Sequence, residues 1–189
     1  MEEKLKQHPS NCLKIVIFGP ESTGKTTISK QLARHYNTIW VEEYARLYLQ
    51  EKWDKDQKIC TYDDLLPIAI GQMKLENEAV KQNVEILISD TDLLETKVYS
   101  QVYFDGRVPD ILDKFSRLNS YDLYLLTYID TPWTPDDLRD KPNQREEMFQ
   151  HFKKALDNHD RPYVILKGNE QARLKLAIQS IDALKELKK

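Results

Sequence analysis

Gly19-Pro20-Glu21-Ser22-Thr23-Gly24-Lys25-Thr26 matches GxxxxGK[ST] at every specified position. Each residue type has a physical reason to be there. Glycine lets the backbone double back with positive φ, so that successive N–H groups converge on phosphate oxygens. The helix that follows points the positive end of its dipole at the same anion. Lys25 has the reach for the β and γ phosphates of ATP, and Thr26 offers a hydroxyl to Mg²⁺. Glu21, Ser22, Thr23 and Thr27 complete the candidate ATP-binding run.

Outward from the loop, the context is that of a strand followed by a helix. Leu13 to Phe18 is a short apolar run that stops at Gly19-Pro20, and Ile28, Leu32 and Ala33 follow at helical spacing. Further short apolar runs occur at 39–41, 84–90, 121–127 and 163–166. Helical patterns separate them at 44–53, 61–82, 93–103, 109–118, 143–158 and 169–187. Thr61 is a cap for the long helix, and Pro67 should break or kink its early part. Buried strands alternating with helices predict an α/β P-loop NTPase-type fold, a parallel sheet of about five strands covered by helices on both faces. Thr134-Pro135-Asp136-Asp137 reads as a helix start within a short helical lid over about 133–150. Residues 1–11 read as a mobile polar tail, and 12–189 as one domain.

Composition narrows the function classes. The chain has 189 residues, enough for one α/β domain with a core. A net charge of -3 disfavours a nucleic-acid binder working through a large basic face. Cys12 and Cys60 are the two cysteines and form no zinc pattern, so both read as free thiols in a reducing cytoplasm. The N-terminus lacks the apolar core of a signal peptide. No apolar run approaches the roughly 20 residues of a membrane span. Nucleic acid and membrane are therefore not expected as partners.

In an open α/β sheet, ligands bind beyond the carboxyl ends of the strands. Glu42 and Glu43 follow the second strand; Asp90 and Asp92 close the third. Asp90 stands where a carboxylate could hold Mg²⁺ or accept a hydroxyl proton, and Glu43 is the other candidate base. Asp92 faces the acceptor or caps the next helix. Arg139 and Arg145 lie in the lid segment, where guanidinium groups could stabilise charge on a transferred phosphoryl group. Arg173, after the fifth strand, could stack on an adenine. Trp133, outside any apolar periodicity, could stack on a substrate ring.

GPESTGKTT, VEEYAR, IAIGQ, SDTDLLETKVYSQVYFDG, YDLYLLTYIDTPWTPDDLR and QREEMF, in this order, resemble the ribosylnicotinamide kinase domain of the bifunctional NadR proteins. The resemblance covers most of 13–182. It implies transfer of the ATP γ-phosphoryl to the 5′-hydroxyl of nicotinamide riboside, giving nicotinamide mononucleotide for NAD salvage. Carried over, Lys25 and Thr26 serve ATP and Mg²⁺, and Asp90 serves metal or base chemistry. Glu43, Tyr44, Arg46 and Trp133 surround the riboside, while Arg139 and Arg145 close over the phosphates. Only about a dozen residues precede the first strand, so adenylyl transfer and DNA-binding repression are not expected here. Some members place a tryptophan immediately before the EY pair, where this chain has Glu42. Another nucleoside acceptor, or an ATP-hydrolysing regulatory module, are the alternative readings.

Overall fold

The computed structural model describes residues 1–139 and 141–188; Asp140 of the lid segment and Lys189 lie outside the described residues. Five strands, β1 (Leu13–Phe18), β2 (Trp40–Val41), β3 (Ile86–Asp90), β4 (Leu123–Thr127) and β5 (Tyr163–Leu166), form one sheet in the order β2-β3-β1-β4-β5. Every pairing is parallel. Among the described residues, seven α-helices accompany them, the first six between strands and the last after β5: α1 (Lys25–His35), α2 (Tyr44–Asp56), α3 (Leu65–Val80), α4 (Leu93–Tyr103), α5 (Asp110–Leu118), α6 (Arg145–Asn158) and α7 (Glu170–Leu187). Among the described residues, no helix is long and apolar enough to cross a membrane.

The strands are apolar at consecutive positions because both faces of the sheet are covered. Ile15, Ile17, Ile88 and Leu125 pack with Ile28 and Leu32 of α1 and Ala177 and Ile181 of α7. Their neighbours in sequence, Val16, Phe18, Tyr124 and Leu126, point the other way. They meet Leu94 and Val98 of α4 and Phe149, Phe152 and Leu156 of α6. The period of two thus sorts one run of apolar residues into two cores.

Three local features differ from the sequence expectations. Residues 1–11 are polar but anchored. Leu5 is fully buried against Leu65, Met73, Leu112 and Phe115. Gln7 Nε2 donates to Glu76 Oε1 at 2.8 Å, the His8 N–H donates to Asn77 Oδ1 at 2.8 Å, and Asn119 Nδ2 donates to the Leu5 carbonyl at 3.2 Å. A single leucine in a polar segment carries no periodicity, so only tertiary contact reveals it.

The second difference is at Pro67. Thr61 and Asp64 form a capping box around a short 3-10 turn at Tyr62–Asp64, and α3 begins at Leu65. Pro67 therefore falls in the first turn, where its missing N–H has no intrahelical partner to lose. The third is the lid, which is not helical from Trp133 to Arg139. The Asp136 carboxylate closes a local turn by accepting the Leu138 N–H at 3.0 Å, and the Thr134 N–H is taken by Ser22 Oγ at 2.8 Å. Helix resumes at Arg145.

Candidate functional site

The carboxyl ends of β1, β2 and β3 converge on one place. After β1 the chain enters the loop with φ of +140° at Gly19, +57° at Ser22 and +84° at Gly24. Gly19 has no room for a side chain: a Cβ there would lie 2.5 Å from Thr127 Oγ1 at the end of β4. Thr127 in turn hydrogen-bonds Thr23 Oγ1 at 2.7 Å, so the loop is pinned to β4 from inside.

Lys25 is buried beneath the loop. Its Nζ donates to the Gly19 carbonyl at 2.8 Å and the Pro20 carbonyl at 3.1 Å, and lies 3.2 Å from Glu95 Oε1. Burial works against the ammonium, but the charges of Glu95, Glu43 and Asp90 outweigh it and hold its pKa above the ordinary value. Thr26 Oγ1 donates to Asp90 Oδ2 at 2.6 Å. The other Asp90 oxygen, Oδ1, is buried with no hydrogen-bond partner. Burial, then the charge of Glu43, pushes the Asp90 carboxyl up to about 7, against the pull of Lys25 and Thr26.

A threonine hydroxyl and an unpartnered buried carboxylate oxygen on adjacent elements are hard oxygen donors of the kind Mg²⁺ takes. The residues present therefore fit a magnesium ion held by Thr26 and Asp90. Glu43, at the start of α2, projects its charge into the same space: it acts on Lys25, Asp90, Glu95 and Tyr99. Its carboxylate is not spent on capping α2. The site thus gathers the Lys25 ammonium with the carboxyl groups of Glu43, Asp90 and Glu95, and the charge of Lys30 also reaches Asp90.

Thr91 sits between the two aspartates at φ +78°, a left-handed conformation that is rare for a β-branched residue. The turn sends Asp90 toward the loop and Asp92 away from it. Asp92 is buried, with Oδ1 accepting the Glu95 N–H at 3.1 Å and Oδ2 accepting the Tyr124 hydroxyl at 2.7 Å. Both oxygens are occupied, so Asp92 acts as the N-cap of α4 and not as a substrate contact. Burial raises its carboxyl to about 6.

Arg173 differs from expectation in the same way. Its Nε donates to the Gly168 carbonyl, Nη1 to the Thr23 carbonyl, and Nη2 to the Tyr128 carbonyl and Asp130. Its donors tie the loop to the ends of β4 and β5, and the side chain is a clamp rather than an open stacking surface.

The lid lies on the loop. Arg145 Nη1 donates to the Thr131 carbonyl at 2.7 Å and Nη2 to the Ser22 carbonyl at 3.3 Å, with the guanidinium 5.8 Å from the centre of the Trp133 ring. Arg139 is turned aside, its Nε 3.1 Å from Asp136 and its Nη1 on the Thr134 carbonyl. Asp136 also receives Arg46 of α2 at 2.9 Å, which joins the lid to the acceptor side. Glu21 Oε1 accepts the Lys141 N–H at 3.3 Å. Thr27 stands exposed on the first turn of α1.

Two contributors lie outside the sequence candidates. Glu95 is buried in the first turn of α4, with Oε2 accepting the Gly19 N–H at 3.4 Å and Oε1 facing Lys25. Burial opposes its ionisation and Lys25 favours it, while Glu43 and Asp90 oppose it. The other is Gln72, discussed below. The signals were Asp92-x-x-Glu95, which has the spacing of a capping box, and a Gly-Gln pair inside the apolar IAIGQ stretch.

The AAA domain family (AAA_28) matches residues 14–173, a span that contains the whole site. The chain belongs to this family. As an AAA_28 member it is similar to the trifunctional NAD biosynthesis/regulator protein NadR of Salmonella typhimurium, at 32% identity over 125 residues, 66% of this chain and 30% of that protein. It thus spans about 30% of the length of that curated relative. It also superimposes on a crystal structure of NadR in complex with NR, with a TM-score of 0.77 at 25% identity, over 92% of this chain and 51% of the other. A structure of NadR with NAD and AMP-PNP gives a TM-score of 0.72 at 26% identity, over 92% and 50%.

Proposed function

We propose that this AAA_28 domain is an ATP-dependent small-molecule kinase that phosphorylates the 5′-hydroxyl of nicotinamide riboside to nicotinamide mononucleotide, in NAD salvage. The observation that carries this reading is the meeting of two half-sites beyond the carboxyl ends of β1, β2 and β3. The loop with Lys25 and the Thr26–Asp90 pair forms the donor half, and Glu43 faces it from the start of α2. The likeness to NadR, crystallised with NR and with NAD and AMP-PNP, supports both halves.

The loop N–H groups and Lys25 bind and orient the phosphates of ATP. Thr26 and Asp90 are the residues to hold Mg²⁺, which when bound supplies charge neutralisation to the phosphate oxygens. Asp90 is committed to that pair, so Glu43 is the group placed to take the proton from the acceptor hydroxyl. Tyr44, Arg46 and Trp133 line the acceptor side. Arg145, already on the Ser22 carbonyl, is the lid guanidinium that reaches the loop and stabilises charge on the group in transfer. Arg139 braces the lid through Asp136. Positioning and electrostatics, rather than covalent chemistry by the protein, then carry the rate. We further propose that the protein works in the cytoplasm, with no nucleic acid or membrane as partner.

A phosphorylation assay over a panel of nucleosides tests the assignment. Nicotinamide riboside with MgATP should yield the mononucleotide, and Lys25→Met should abolish it. Turnover of a deoxynucleoside but not of nicotinamide riboside would move the substrate. ATP hydrolysis indifferent to every nucleoside would instead favour a regulatory ATPase.

A further inference from the structure

The acceptor half is held from behind by α3. Gln72 is buried, and its side-chain amide spans the turn that carries Glu43: Oε1 accepts the Tyr44 N–H at 2.8 Å and Nε2 donates to the Glu42 carbonyl at 3.2 Å. These are the backbone groups immediately before and after Glu43. One residue earlier, Gly71 is bare of side chain where the Tyr44 ring lies. A Cβ at Gly71 would be 2.0 Å from Tyr44 Cε1 and 2.2 Å from Cδ1. Adjacent residues of one buried helix therefore fix the backbone around Glu43 and the seat of the Tyr44 ring. β2 is only two residues long, Trp40–Val41, so the sheet itself gives this segment little support. A glycine in the middle of a helix costs stability relative to alanine, and a buried amide must find partners. Both requirements are met by the 42–44 segment.

We propose that Gly71 and Gln72 are positioning residues for the acceptor half-site: they aim the Glu43 carboxylate and seat the Tyr44 ring without contributing to the phosphate loop. The inference rests on the reading above that Glu43 and Tyr44 serve the acceptor. The loop has its own supports, Thr127, Glu95 and Arg173, so a fault at α3 should be felt by one substrate and not by the other.

The test uses the full chain with Gln72→Met, which keeps length and helix propensity and removes the amide, and separately Gly71→Ala. Hydrogen exchange of the ligand-free protein comes first. The Tyr44 amide should exchange about tenfold faster or more in Gln72→Met, while the amides of 19–26 keep their wild-type rates. Kinetics with nicotinamide riboside and MgATP come second. Acceptor kcat/KM should fall about tenfold or more in both variants, with KM for ATP within about twofold of wild type. A Tyr44→Leu background removes the ring that Gly71 accommodates, so Gly71→Ala should cost less there than in wild type.

Faster exchange at Tyr44 with unchanged acceptor kinetics overturns the inference. So does an equal loss for ATP and acceptor, which would mark a general packing defect. If wild type phosphorylates a different nucleoside, the substrate reading fails alone and the variants are judged on that nucleoside. If it phosphorylates none, the kinase reading and this inference fall together.

Discussion

Asp90→Asn in the ligand-free protein should trade activity for stability, and the trade should depend on pH. The Asp90 carboxyl is fully buried, and burial followed by the charge of Glu43 raises it from 3.8 to about 7. The folded chain therefore holds this proton more tightly than the unfolded chain does. Below the ordinary value both states are protonated and the group costs nothing. Above it, folding has either to keep a proton the unfolded chain has released or to bury a charge. The penalty grows by about 1.4 kcal/mol per pH unit until the folded group ionises near pH 7. Between pH 5 and pH 7 that amounts to about 3 kcal/mol.

Asparagine carries no such proton and still offers an oxygen to the Thr26 hydroxyl. The stability of the variant relative to wild type should rise by that amount over this window and then level off. Titrating groups remote from Asp90 cancel in the difference, whereas Glu43, Glu95 and Lys25, which share its field, contribute to the same pH-dependent change. For a chain of this size, the change corresponds to roughly 6 to 12 °C in Tm. Urea denaturation of both proteins at pH 5, 6, 7 and 8, without nucleotide or magnesium, measures it. A stability difference that stays constant from pH 5 to pH 8 would refute the reasoning, because Asp90 would then be ionised in the fold without penalty.

Four further outcomes follow from the geometry. Gly19→Ala meets both a positive φ and the Thr127 hydroxyl; it should destabilise the protein by about 1–3 kcal/mol and abolish ATP binding measured by calorimetry. Leu5→Ala should lower the urea midpoint by the equivalent of about 2–5 kcal/mol, as for a core leucine, where a mobile tail would lose nothing. Asp92→Ala should cost about 2 kcal/mol through loss of the α4 cap, while KM for the nucleoside changes less than about threefold; a large KM effect would restore Asp92 to the acceptor site. Arg145→Ala should lower kcat by roughly 10³ in single-turnover assays and leave KM for ATP within about threefold.

The donor half of the site was legible because it is local. Eight consecutive residues specify the loop, and the strand before it and the helix after it confirm the reading through their own periodicities. The carboxylates at the strand ends could be found by asking where each apolar run stops. What escaped depends on residues distant in sequence. Glu95 sits in a stretch that reads as an ordinary helix, and only the fold brings it under Lys25, 70 positions earlier in the numbering. Arg173 has the right residue type at the right strand end, yet its donors are consumed by carbonyls from three other segments. The lid shows tertiary contact overriding propensity. Thr134-Pro135-Asp136-Asp137 has every local mark of a helix start, but Ser22, Arg46 and Arg139 claim its polar groups first.

The Arg173 clamp also bears on when the protein becomes competent. Its Nη1 bonds the Thr23 carbonyl across 150 positions of sequence, and chains are made from the N-terminus. The nucleotide loop is therefore synthesised 150 positions ahead of the guanidinium that braces it. A nascent chain halted before Gly168 carries the complete loop motif without the tie that holds its shape. ATP retention by stalled chains of increasing length should therefore rise only as α7 emerges, so that the ability to grip nucleotide reports that α7 has joined the loop.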